Sequence, residues 1–301
     1  MKILISADME GATGVTWPAD VLPGTPQWER CRSMFTSDVN AAVLGFFDGG
    51  ADEVLVNEAH WSMRNLLLER LDERTEMLTG RHKALSMVEG VQHGDVDGIA
   101  FIGYHAGAGM EGVLAHTYLA NQLTGVWLND VRASEGLLNA HVVAEYGVPV
   151  VLVTGDDVAC EDALGYAPEA RKVAVKDHVS RYAAVCRTPA RTAADIRAAR
   201  QGGHRARRAP GAGERRAFHP RPGVRRRAPG GGRDRGARCG AGRGAEGGVH
   251  PRHDVRGDPD VQGGHDDRLG GGGGAVWLST RGPDRTPASR RWTRSSGSPP
   301  S

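Results

Sequence analysis

Residues 1–11 read MKILISADMEG. A short apolar run of the kind that becomes a buried strand ends in Asp8 and Glu10, with Gly11 directly behind them. Side chains alternate faces along a strand, so two acids spaced by two point the same way. They face water together, or together they hold something positive.

Outward from this strand the same pattern repeats. Residues 33–48, SMFTSDVNAAVLGFFD, carry apolar side chains at helical spacing and stop at Gly49 and Gly50, so a helix is expected there. EVLVNEAH (53–60) reads as a second strand, NLLLERLDER (65–74) as a helix, and GIAFIGYHAG (98–107) as a third strand. GVWLNDVRASEG (125–136) begins as a strand and passes into a helix that Ser134 caps. PVVLVTGDD (149–157) is a further strand, with a short helix after it. This alternation predicts an α/β fold, a mainly parallel sheet flanked by helices, over residues 1 to about 200.

In such sheets ligands bind beyond the carboxyl ends of the strands. Asp8 and Glu10 end the first strand, His60 the second and His105 the third, and Glu135 follows the fourth. Two imidazoles and three carboxylates form a mixed nitrogen and oxygen set suited to Zn²⁺ or a similar divalent transition metal. Five ligands exceed what one tetrahedral zinc with an open position needs, which favours two metals sharing a carboxylate, with Asp8 as the bridge. Taken singly, each acid also reads as a solvated loop residue and each histidine as a hydrogen-bonded structural one. Spacing alone leaves the matter open, because no compact HExxH signature is present.

Other segments carry less. GATGVT (11–16) lacks the features of a P-loop or a dinucleotide fingerprint and reads as a tight turn. Asp156 and Asp157 suit a site or a helix N-terminus equally. GYHAGAGMEG offers flexible backbone beside His105. His116, eleven residues beyond His105 across that Gly-rich turn, is placed to act as base, acid, nucleophile or orienting group.

The remaining third of the chain is unlike the first two. Residues 1–200 hold 17 Lys plus Arg against 27 Asp plus Glu; residues 201–301 hold 21 Arg, no Lys and 9 acidic residues, so the overall +2 describes neither part. The second part has 24 Gly and only eight residues that are Leu, Val or Phe, too few to offset the entropy of folding, and disorder is expected there. Its arginines could neutralise phosphates, but it has no aromatic interleaving, so no nucleic-acid partner is expected. Four cysteines without CxxC spacing indicate neither a disulfide framework nor a thiolate zinc site and agree with an intracellular home. No stretch approaches the ~20 apolar residues of a membrane span, and the apolar run before Asp8 is too short for a signal peptide.

The motifs together resemble the zinc-dependent D-aminopeptidases of the DppA type. SADMEG is similar to that family's SxDxEG, VNEAHWSMRNL to its segment bearing a ligand histidine, FIGYHAGAGMEGVLAHT to the stretch with a second ligand histidine and a catalytic one, and NDVRASEGLLNAHVVAEYGVPVVLVTGDD to the block bearing a ligand glutamate. The resemblance covers roughly residues 1–200. It implies a cytoplasmic enzyme that removes N-terminal D-amino acids from short peptides such as D-Ala-D-Ala. Two Zn²⁺ ions per chain would be held by Asp8, Glu10, His60, His105 and Glu135, with His116 catalytic. It also implies a ring-like homo-oligomer, a decamer, with active sites facing an inner chamber. Another metal-dependent amidohydrolase on the same scaffold is the alternative activity.

Past about residue 200 the likeness fades and Arg, Gly, Pro and Ala take over, the mixture that GC-rich DNA yields when read out of frame. With one choice of codons, DVRGDPDVQGGHDDR (254–268) reads one base later as TFAATPTYKAVTTI, a sequence resembling a folded protein and the family's C-terminal end. A frameshift near residue 200 is therefore expected, leaving residues 1–200 as an incomplete peptidase-like domain. A chain altered in this way would keep its site residues but could lose sheet elements and assembly contacts, becoming an inactive remnant.

Overall fold

A computed structural model describes residues 1–201 and 222–226. In chain order the elements are β1 (Lys2–Ala7), α1 (Pro18–Val21), α2 (Pro26–Asp48), β2 (Glu53–Glu58), β3 (Glu76–Leu78), β4 (Gly98–Ile102), β5 (Leu123–Leu128), β6 (Val131–Arg132), α3 (Glu135–Glu145), β7 (Val150–Asp156), α4 (Asp157–Tyr166), β8 (Arg171–Ser180), β9 (Ala183–Cys186), α5 (Pro189–Gln201) and β10 (Pro222–Arg226).

Seven strands form the main sheet in the order β3-β2-β1-β4-β7-β8-β9. Every pairing is parallel except β8 with β9 at one edge. The expected fold class is thus the observed one. The chain leaves β1 toward β2 and β3, then returns to lay β4 on the other side of β1. The point where the direction of winding reverses lies between β1 and β4, and that is where an open α/β sheet leaves a crevice at its carboxyl edge.

Both faces of the sheet are covered, which explains why its strands read as nearly continuous apolar runs. Ile3 and Ile5 of β1 pack with Phe35, Val39, Val43 and Phe46 of α2 and with Ile196 of α5. Leu4, between them in sequence, turns to the opposite core with Ile99 and Phe101 of β4, Val143 of α3 and Ala163 of α4. Each such side chain, fully buried, contributes roughly 1.5–3 kcal/mol. α2 begins at Pro26, earlier than its apolar spacing alone predicts, because Thr25 accepts a hydrogen bond from the Trp28 amide at 3.0 Å and Pro26 suits the first helical position.

Two expectations require correction. Residues 65–74 are not a helix: only Leu68–Arg70 make a single 3₁₀ turn. The amides of Asn65 and Leu66 donate to the Glu58 carboxylate, both at 2.6 Å, and the Asp72 amide to Asn40 Oδ1 at 2.7 Å, so side chains hold the segment open. The strand beginning near residue 125 is β5, and it lies outside the main sheet. It pairs antiparallel with β6 through a two-residue turn, Asn129 and Asp130, both with positive φ, and with β10 on its other side.

Of residues 201–301, the structure describes Gln201, the last residue of α5, and the strand β10; the other expectations for this region, Cys239 included, lie outside the described residues. Cys31, Cys160 and Cys186 are free. Among the described residues no helix is long and apolar enough to cross a membrane.

Candidate metal centre

The three central strands end side by side, and the first turn of chain beyond each carries a ligand-type residue. Asp8 follows β1, its amide continuing the ladder to the Ile102 carbonyl of β4 at 2.8 Å. Glu10 lies two residues on, in a turn that can pass only because Gly11 lacks a side chain: a Cβ there would sit 1.9 Å from the Tyr104 carbonyl oxygen. His60 follows β2 and His105 follows β4. Glu135 arrives differently, from the first turn of α3, capped by Ser134, whose Oγ accepts from the Leu137 amide at 3.1 Å. α3 is tied to the sheet through Tyr104, whose hydroxyl meets Ser6 Oγ of β1 at 2.7 Å and accepts from Asn139 Nδ2 of α3 at 3.0 Å.

These residues converge. Asp8, Glu10 and His60 form one group, Asp8, His105 and Glu135 a second, and Glu10, His105 and His116 a third, in each of which the potential ligand atoms lie within 4.8 Å of one another. The structure therefore brings together all six residues singled out in the sequence. Asp8 spans the first two groups with different oxygens, Oδ1 3.4 Å from His60 Nδ1 and Oδ2 3.3 Å from His105 Nε2.

Each histidine has one ring nitrogen against a backbone carbonyl: His60 Nε2 on Val21 at 2.8 Å, His105 Nδ1 on Ala106 at 3.0 Å, His116 Nδ1 on Leu114 at 2.9 Å. A carbonyl only accepts, so these nitrogens carry a hydrogen, and when a ring is deprotonated it is the other nitrogen that turns a lone pair toward the carboxylates. That is the orientation a metal-binding imidazole needs. Three of the four buried side-chain atoms without a hydrogen-bond partner among the described residues are Asp8 Oδ2, Glu10 Oε2 and His105 Nε2. Glu10 Oε2 lies 3.0 Å from His60 Nδ1, but a neutral His60 has no second hydrogen to give it.

The electrostatics agree. Burial alone would lower the pKa of His105, yet Glu135, Asp8 and Glu10 outweigh it and raise it to about 10. Burial likewise opposes the charge on His60, and Glu10 and Asp8 reverse this, raising it well above the usual histidine range. Burial would raise Glu10, but the three imidazoles hold it well below the usual carboxylate range. Glu135 is pushed up to about 7, by burial first and by Asp8. A site that draws protons onto two buried imidazoles holds positive charge strongly, and a divalent cation is a better match than protons for acceptors on several sides. The residues present thus fit a zinc-type metal. His116 differs: burial and the neighbouring His105 lower its pKa, which keeps it neutral.

The undecided acids belong to the framework. Asp156 caps α4 through the Ala159 amide at 2.7 Å and fastens the loop between His105 and His116 through the Val113 amide at 2.6 Å; Asp157 accepts from the His178 amide at 2.7 Å. GATGVT is a turn, with Gly14 at φ +75° and Thr13 bonded to the buried Asp38. Sequence reasoning missed Lys176, which is fully buried under the Glu10 turn; its sole signal was a charge between valines in VAVKDHV.

A family model described as D-aminopeptidase matches residues 1–219. A D-aminopeptidase of Bacillus subtilis (strain 168) is 38% identical over 191 residues, 64% of this chain and 69% of that protein. Among solved structures, the Zn-dependent D-aminopeptidase DppA from Bacillus subtilis, described as a self-compartmentalizing protease, is 36% identical with a TM-score of 0.65, over 67% of this chain and 73% of that one.

Proposed function

This chain belongs to the D-aminopeptidase family, and on that premise we propose that it removes the N-terminal D-amino acid from short peptides such as D-Ala-D-Ala. The observation that carries the reading is Asp8, placed with one oxygen toward each of two imidazoles at the centre of a buried set of carboxylates. Asp8, Glu10 and His60 would hold one zinc ion and Asp8, His105 and Glu135 a second. Bound zinc supplies Lewis acidity, polarising a carbonyl and making a water acidic near neutral pH.

The chain's own groups do the rest. His116 Nε2 stands 3.7 Å from Glu10 and 3.9 Å from Glu135. With Nδ1–H held by Leu114 and the ring kept neutral, Nε2 is the atom that takes up a proton and returns it to the leaving amine. The Tyr118 amide donates to Glu135 Oε1 at 2.7 Å and holds that carboxylate in place. Burial of Asp8, Glu10 and Glu135 excludes water, which strengthens each of these interactions.

The term self-compartmentalizing, used of the structural neighbour, supports a homo-oligomer here as well, a decamer with its sites facing an inner chamber. The absence of a metal-site or disulfide pattern among the cysteines supports a cytoplasmic location. We retain residues 1–200 as the peptidase-like domain and 201–301 as a frameshifted translation; resequencing the gene across codon 200 tests this, and an intact frame overturns it.

The deciding experiment pairs elemental analysis of the purified full chain with D-Ala release from D-Ala-D-Ala, using L-Ala-L-Ala as the control. About two zinc per chain with D-selective turnover is expected. Turnover of the L-peptide alone would overturn the substrate assignment.

A further inference from the structure

The turn that carries Asp8 and Glu10 is irregular backbone, and a turn that places ligands must be held by something. Its amides have backbone partners: Gly11 N–H on the Gly103 carbonyl beyond β4, Ala12 on Met9, Val15 on Ala12. Its carbonyls do not follow a ladder; those of Glu10, Ala12 and Val15 turn inward to one point. At that point lies Lys176 Nζ, donating to them at 2.6, 2.9 and 2.6 Å. An ammonium has three hydrogens, and all three are used on this one turn.

The way Lys176 reaches the turn is built into the sheet. Along β7 and β8 the register runs Gly155 with Ala174 and then Asp156 with Lys176, so Val175 is an extra residue in β8. Such a bulge re-aims the side chains beside it. Val175 and Lys176 are accordingly both fully buried, although neighbours in a regular strand would face opposite ways.

We propose that Lys176 is a positioning residue for the metal site, gathering the carbonyls of Glu10, Ala12 and Val15 so that the Asp8 and Glu10 carboxylates are held in ligand geometry before any metal binds. This rests on the reading that Asp8 and Glu10 hold zinc. Without a cation at their focus the Glu10 and Val15 carbonyls would lose this partner and the Ala12 carbonyl would keep only the Val15 amide at 3.3 Å, so the turn would relax away from it. Lys176 touches neither substrate nor the carboxylates; it acts through the backbone of the turn.

The test compares the full-length protein with Lys176→Met, measuring zinc affinity by competition with a chromophoric chelator and, separately, the fold of the metal-free proteins by circular dichroism and urea unfolding. The folded variant is expected to bind zinc about 10- to 100-fold more weakly. A variant with a lower unfolding midpoint but unchanged zinc affinity would overturn the proposal and leave Lys176 a merely structural residue. Failure of the unaltered protein to bind zinc at all would instead overturn the metal reading itself, and this inference with it. Should Lys176→Met not fold, hydrogen exchange of the unaltered protein decides. Amides of residues 8–16 are expected to be protected equally with and without zinc; protection gained only on zinc addition overturns the proposal.

Discussion

His105 and His116 stack face to face, ring centroids 4.3 Å apart and planes inclined by 5°. Two imidazoles in such contact resist being charged together, and their surroundings divide the roles: His105 is drawn toward the charged form by three carboxylates, while His116 is kept neutral. His116→Ala should therefore keep its zinc content and lose turnover by about 10²- to 10⁴-fold. Assay of D-Ala release beside elemental analysis checks it; normal turnover would remove His116 from the mechanism.

Asp8 belongs to two of the ligand groups, whereas His60 belongs to one. Asp8→Ala should bring zinc content close to zero, while His60→Ala should leave about half of it. Full zinc content in both variants would dissolve the proposed constellation.

Gly11 lies against the Tyr104 carbonyl, and any Cβ at that position meets backbone rather than a yielding side chain. Gly11→Ala should destabilise the protein by about 1–3 kcal/mol and weaken zinc binding, since Glu10 is the adjacent residue. Urea unfolding and chelator competition measure the two effects; an alanine that leaves both unchanged would show that the crossing of these loops is not as close as described.

Asp38 is buried beneath the same turn, accepting from the Thr13 amide at 2.8 Å and the Thr13 hydroxyl at 2.9 Å. Burial raises its pKa from 3.8 to about 6 in spite of these bonds. The unfolded chain then ionises at lower pH than the folded one, so stability falls as pH rises from about 4 to about 6 and stays lower above that. The difference amounts to about 3 kcal/mol. Asp38→Asn should remove this dependence: relative to the unaltered protein, its stability should improve steadily between pH 4 and pH 7 and then level off. A pH-independent difference in urea unfolding would be the contrary result.

The sequence by itself determined the parallel strands and the ligand types at their ends. A nearly continuous apolar run is forced into a sheet covered on both faces, and polar residues that directly follow such strands have nowhere to go but its carboxyl rim. Asp8, Glu10, His60 and His105 were legible for this reason. The helical reading of residues 65–74 was not sound, because Glu58 and Asn40 reach that segment only through the fold and outbid its local propensity with direct bonds to its amides. Glu135 and the Ser134-capped helix that carries it were legible too, but not that the preceding strand lies outside the main sheet, nor that Tyr104 and Asn139 bind this helix to the sheet. The role of Lys176 was not legible, since the carbonyls it gathers lie more than 160 residues away. Periodicity carries information about which face a residue takes, whereas a bulge and a hydrogen bond between distant segments exist only once the chain has closed on itself.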